Sequence, residues 1–222
     1  METTLHQQLK RCYADGEENT EVVLGNYRID AIRDDELIEI QWSSLSSIRS
    51  KSQSLLKRHK LRVVKPLIAR TRILKVKSKG GAIVSRRMSP KRGNVLELFE
   101  ELIYFTRVFP HPNLTIEVPM VCVDQVRIPR KGRKRHRQKD YKVLDVSLES
   151  VDQTHEFREP SDLLTLIPWK ERPTSFDTAD IAAAIDRPRW VAQQIAYVLK
   201  HTGAISEVSR KRSGIIYEPI AA

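Results

Sequence analysis

Leu5, Leu9 and Tyr13 recur four apart, and this stripe predicts an amphipathic helix over 3–14. From Glu21 the period of the apolar positions falls to two. Residues 21–24 and 27–32 read as strands around the turn dipeptide Gly25-Asn26, and 37–42 as a third strand after a turn at Asp34-Asp35. Ser43 or Ser44 can cap the next helix, which carries Leu45, Ile48, Leu55 and Leu56 on one side and Arg49, Lys51, Lys57 and Arg58 elsewhere. LRVVKPL (61–67) reads as a buried strand ending at Pro66, and ARTRILKVK (69–77) as another. The order helix, three strands, helix, strand predicts an α/β core.

The second half is less regular. SKGGAIVSRRMSPKRGN (78–94) is dense in turn formers and reads as a loop. VLELFEELIYFTRVF (95–109) has helical period and is closed by Pro110 and Pro112. LTIEVPMVCVDQVRI (114–128) is a strand in which Pro119 marks an edge or a bulge, with YKVLDVSLESV (141–151) as its partner. Between them, 127–142 hold nine Lys/Arg against the single acid Asp140, a hairpin loop that repels itself until an anion neutralises it. Residues 156–175, with three prolines, read as a linker. A short helix capped by Thr178 follows, then a second opened by Pro188 and running through Trp190, Val191, Ile195, Val198 and Leu199, read as core. AISEVS and GIIYEPI close the chain as a basic-tipped hairpin. The expected organisation is a domain over 1–155, the linker, and a small domain over 176–222.

Three polar residues interrupt the strand pattern. If Asp34-Asp35 is a two-residue turn, then Arg33 pairs with Glu36, Ile32 with Leu37, Ala31 with Ile38 and Asp30 with Glu39. Alternation puts Gln41 on the face of Asp30 and Glu39, and turns Ile29, Ala31, Ile38, Ile40 and Trp42 the other way. Opposed carboxylates repel unless something positive sits between them. A hard divalent cation such as Mg²⁺ resolves the conflict and supplies an activated water.

Asp30, eight residues, then Glu39-Ile40-Gln41, set after a helix and a strand and before a helix and a strand, resembles the PD-(D/E)XK nuclease superfamily. The resemblance implies a restriction endonuclease-like fold, a mixed sheet flanked by helices, over about residues 1–77, and phosphodiester hydrolysis with Mg²⁺ or Mn²⁺. It implies Asp30 and Glu39 as metal ligands, with a further acid from the first helix or strand: Glu21 first, then Glu2, with His6 a third choice. The family's lysine falls on Gln41, an amide that cannot offset charge as an ammonium does. Gln41 would position the attacking water, and Lys51 on the following helix could supply the missing cation. The tail, helix-turn-helix then hairpin, resembles a winged helix-turn-helix domain. That likeness implies a major-groove helix carrying Arg187, Arg189, Gln193, Gln194 and Lys200, and a wing carrying Arg210, Lys211 and Arg212.

The formal net charge of +11 over 222 residues favours a polyanion as partner, nucleic acid foremost and double-stranded DNA in particular. Arg130, Lys131, Arg133, Lys134, Arg135 and Arg137 of the basic loop are its candidate contacts. No run approaches the roughly 18 apolar residues of a membrane span, and the first residues lack the shape of a signal peptide, so a cytoplasmic protein is expected. Cys12 and Cys122 stand alone and read as small buried hydrophobes. A homodimer is compatible with the nuclease reading, though no sequence feature marks its seam. The expected function is a metal-dependent DNA nuclease. The alternatives are a catalytically inactive nucleic-acid-binding protein on that scaffold and a structural partner for an acidic protein.

Overall fold

The structure, a computed structural model, describes residues 3–130, 140–212 and 214–220. It is mixed α/β. Helix α1 (Thr4–Tyr13) is followed by strands β1 (Thr20–Leu24), β2 (Tyr27–Arg33) and β3 (Glu36–Ile40), helix α2 (Arg49–Leu55), and strands β4 (Lys60–Val64), β5 (Leu67–Val76) and β6 (Ile83–Met88). Helix α3 (Leu98–Leu102) precedes the long strands β7 (Leu114–Pro129) and β8 (Tyr141–Phe157). Helices α4 (Pro160–Leu164), α5 (Thr178–Ile185) and α6 (Arg189–Thr202) lead to a separate hairpin, β9 (Ile205–Lys211) and β10 (Gly214–Pro219). The large sheet runs β1-β2-β3-β4-β7-β5-β6, with β8 also paired to β7. It is a mixed sheet, since β5 and β7 are parallel whereas β1–β2, β2–β3 and β5–β6 are antiparallel.

Two compact units emerge. The first comprises Met1–Trp42, Val64–Asn94 and Val118–Thr154; the second comprises Ser43–Val63, Val95–Glu117 and His155–Ala222. In the first, the Thr3 side chain caps α1 by accepting from His6 N–H, and the stripe Leu5, Leu9, Tyr13 packs on Ala31, Ile38, Ile40, Val121 and Val146. Full burial of each leucine is worth about 1.5–3 kcal/mol. Thr4 donates to the Asp145 carboxylate through its amide and its hydroxyl, and Leu148 N–H donates to Gln8 Oε1, so β8 fixes how α1 lies. The β1–β2 turn places Gly25 at φ 58, in the left-handed region where a side chain costs most. Asp34 and Asp35 adopt φ 48 and 61, the double left-handed turn that matches strand twist. Gly93 meets the main chain so closely that a Cβ there would sit 1.9 Å from Ile68 O.

In the second unit the Ser44 side chain accepts from Ser46 N–H to start a 3-10 turn (Leu45–Ile48) that leads into α2. Arg62 is buried against Glu117, at 2.5 Å, and reaches Glu156 at 2.8 Å. The tail helices are joined at Asp186, whose left-handed backbone (φ 50) ends α5. Phe176 pairs with Tyr217 and so ties the entry of α5 to the hairpin.

Several expectations are corrected. Residues 78–94 are not all loop: β6 pairs with β5, and it was invisible because every residue of it is exposed and no buried face alternates. The helix over 95–109 shrinks to α3, because Phe105 and Val108 donate three residues back, to Leu102 and Phe105, tightening the chain out of α-helical period. Pro119 lies in an interior strand. The β5–β7 register begins at Met120, so the missing N–H falls outside that ladder. Asp177, not Thr178, caps α5. Trp190 is 56% exposed and forms no core, and Cys12 is exposed.

Candidate functional site

The β2–β3 register runs Arg33–Glu36, Ile32–Leu37 and Ala31–Ile38, as the two-residue turn requires, and the regular ladder ends there. Asp30 and Glu39 form no next rung. The Ile40 N–H donates instead to Asp30 Oδ2 at 2.9 Å, so the carboxylate takes the place of a strand carbonyl. On the other side of β2 the ladder is also distorted: Glu21 has φ 54, between the regular pairs Thr20–Ala31 and Val22–Ile29. With its neighbours irregular on both sides, the Asp30 side chain is free of strict alternation and turns toward α1.

There it meets two residues one helical turn apart. His6 Nε2 lies 3.5 Å from Asp30 Oδ2 and 3.1 Å from Ile40 O. The buried Lys10 places Nζ 3.3 Å from Asp30 Oδ1 and 2.6 Å from Glu21 Oε1, and Arg28 also binds Glu21. Burial works to raise the Asp30 carboxyl. The hydrogen bonds from His6 and the Ile40 N–H, with the charges of His6 and Lys10, outweigh it and hold the group below its ordinary carboxylate value. Glu21 thus shares a lysine with Asp30. Glu2 lies outside the described residues. Among the described residues no group of three or more His, Cys, Asp or Glu is arranged to hold a metal ion.

Ile38 and Ile40 share the α1 core, so alternation sends the buried Glu39 to the opposite face. The expected common face for Asp30 and Glu39 is therefore not formed, because the Asp30 carboxylate leaves the strand pattern. The Gln41 N–H donates to Val64 O at 2.8 Å, joining the ends of β3 and β4. Lys51 lies on α2, in the second unit.

A second cluster lies at the far end of the first unit. Lys75 pairs with Arg127 across β5–β7 and with Ser85 across β5–β6, and Arg87 is two residues from Ser85. Partners across a ladder and residues two apart share a face, so Lys75, Arg87 and Arg127 project together from three adjacent strands. They line a groove of about 540 Å³ with Asp140 and Tyr141. The Arg127 guanidinium stands 3.9 Å over the Tyr141 ring while its Nε donates to Gln125 Oε1 at 2.6 Å. Burial, with Arg87's charge behind it, pulls the Arg127 guanidinium below its ordinary value, against an opposing contribution from Tyr141. On the other face of the same strands Arg72 is neutralised by a two-pronged bond to Asp124 and by Glu149.

Lys75, Arg87 and Tyr141 were not singled out from sequence, since only the register shows that they share a face with Arg127. Lys131, Arg133, Lys134, Arg135 and Arg137 lie outside the described residues; Arg130 is exposed at the end of β7, its N–H donating to Asp140 O. In the second unit Arg187, Gln193, Lys211 and Arg212 are exposed. Arg189 Nε donates to Thr178 Oγ1, and Glu207 takes up Lys200 at 2.7 Å and Arg210 at 3.4 Å.

A family model described as "Domain of unknown function (DUF8091)" matches residues 3–158, from the cap of α1 to the end of β8. The chain belongs to this family. Helices α4–α6 and the β9–β10 hairpin lie beyond the matched segment. The chain is also similar to an "Uncharacterized protein" of Treponema pallidum (strain Nichols), 27% identical over 164 residues that cover 73% of this chain and 64% of that protein's length. No solved structure matches. No helix among the described residues is long and apolar enough to cross a membrane.

Proposed function

We propose that this DUF8091 member is a nucleic-acid-binding protein on a nuclease-like scaffold that does not itself hydrolyse phosphodiesters. The observation that carries the reading is the shared face of Lys75, Arg87 and Arg127 around one groove, in a chain of net charge +11. Like charges on neighbouring strands weaken a sheet and are relieved by a bound polyanion. The order α1-β1-β2-β3-α2-β4, with β1 to β4 side by side, supports the likeness to the PD-(D/E)XK core. Three features favour loss of catalysis: Gln41 stands in the lysine position, Glu39 alternates away from α1, and the charge of Asp30 is already met by Lys10 and His6. The tail, read as a winged helix, would make nucleic-acid contacts of its own through Arg187, Gln193, Lys211 and Arg212. Binding of a fluorescent duplex and of a fluorescent single strand at about 50 and 200 mM salt tests the reading; affinity should fall steeply with salt. Binding of neither at the lower salt would sink it.

One observation favours the metal-dependent nuclease instead. His6 Nε2 lies 3.1 Å from Ile40 O and 3.5 Å from Asp30 Oδ2, which gathers an imidazole, a carbonyl and a carboxylate in one place. In that reading Asp30, His6 and the Ile40 carbonyl would hold Mg²⁺ or Mn²⁺, the ion would supply Lewis acidity, and Lys10 would be a cation at the site.

A further inference from the structure

We propose that the groove between the β5–β6 and β7–β8 hairpins binds a single strand of nucleic acid, its phosphates met by Lys75 and Arg87 and a base stacked on the Arg127–Tyr141 pair. The proposal rests on the nucleic-acid reading for the choice of ligand and owes nothing to the Asp30 cluster. Three features of the groove point to a strand rather than a duplex.

The first is size: about 540 Å³ falls among clefts of roughly 300–1,000 Å³ that enclose small ligands, whereas a duplex presents its phosphates to open surfaces. The second is the cation-capped ring. The Arg127 guanidinium carbon lies 3.9 Å over the Tyr141 ring, and unpaired bases stack on aromatic rings and guanidinium planes without regard to sequence. In a duplex those base faces are already covered. The third is fixation. Gln125 and Tyr141 hold Arg127 before any ligand arrives, so little freedom is lost when the ligand binds, and the exposed Lys75 and Arg87 reach from β5 beside it and from β6 beyond. The charge on this face contrasts with the opposite one, where Asp124 and Glu149 neutralise Arg72.

The test is fluorescence anisotropy of the full chain with an oligothymidine of about twelve nucleotides and with a duplex of equal length. Lys75→Gln/Arg87→Gln should weaken oligothymidine binding about tenfold and reduce the salt slope by about 1.4, at roughly 0.7 for each single-strand phosphate no longer neutralised. Tyr141→Leu should weaken it about five- to a hundredfold through lost stacking. Duplex binding should change less than about twofold in both variants. Lys75 and Arg87 are exposed, so the double variant keeps the fold, checked by an unchanged melting temperature. If the oligothymidine binds the double variant as tightly as wild type, or if duplex affinity falls in parallel, the single-strand assignment is overturned while the nucleic-acid reading stands. Wild-type protein that binds neither probe overturns both.

Discussion

Replacing Asp30 by Asn separates a structural carboxylate from a catalytic one. A catalytic acid held against other acids is relieved when it is neutralised, and stability rises. Asp30 instead receives the Ile40 N–H, His6 and the buried Lys10, so Asp30→Asn should destabilise the fold. The amide oxygen can still accept from Ile40, but its NH₂ opposes the Lys10 donors. Removing one partner of a fully buried pair costs about 3–5 kcal/mol. The Asp30 side chain is 19% exposed and Lys10 retains Glu21, which brings the expected loss to about 2 kcal/mol. The double change Asp30→Asn/Lys10→Met should recover part of it, with a coupling of about 1–2 kcal/mol. The pH dependence has a definite sign. The folded carboxyl lies below its ordinary value, so the unfolded chain binds the proton more tightly. Wild type's advantage over the Asn variant is therefore full above about pH 5 and is lost as pH falls below about 4 through the folded value. Urea unfolding of wild type, Asp30→Asn, Lys10→Met and the double variant between about pH 7 and pH 3 measures this. An Asn variant more stable than wild type at pH 7, or an advantage that does not shrink in acid, refutes the structural role of Asp30.

Arg62→Met should cost about 3–5 kcal/mol by urea unfolding, because it strands the buried Glu117 carboxylate; Arg62→Met/Glu117→Leu should recover most of that loss. Gly93→Ala should cost about 1–3 kcal/mol in the same assay, since the added Cβ meets the Ile68 carbonyl and main chain must move.

How much was legible in the sequence depended on whether an element had one buried face. Helix α1 and strands β2 and β3 did, and the register followed from the Asp34-Asp35 turn as far as Ala31–Ile38; β1, with no buried residue, was marked by the Gly25-Asn26 turn instead. The tail helices were legible for the same reason, and the β9–β10 hairpin from its turn residues. Strand β6 had no buried face and left no signal. Trp190 was misjudged because a large aromatic at helical spacing usually packs inward, whereas here it sits at the exposed start of α6. At the site, Asp30 was found because a carboxylate inside a strand pattern is conspicuous. His6 stood beside it as a third-choice ligand, but Lys10 was missed, because the left-handed backbone at Glu21 releases Asp30 from alternation and no residue type announces that distortion. The cationic groove depends on pairing between strands far apart in sequence, β5 with β7, which local patterns do not reveal.

The most direct test of binding without hydrolysis is incubation of purified protein with supercoiled plasmid across Mg²⁺ and Mn²⁺ concentrations and in chelator, read for both retardation and nicking. The account predicts retardation that weakens with salt and no nicking with either metal. Metal-dependent nicking that disappears in Asp30→Ala and in His6→Ala would contradict it and establish the nuclease.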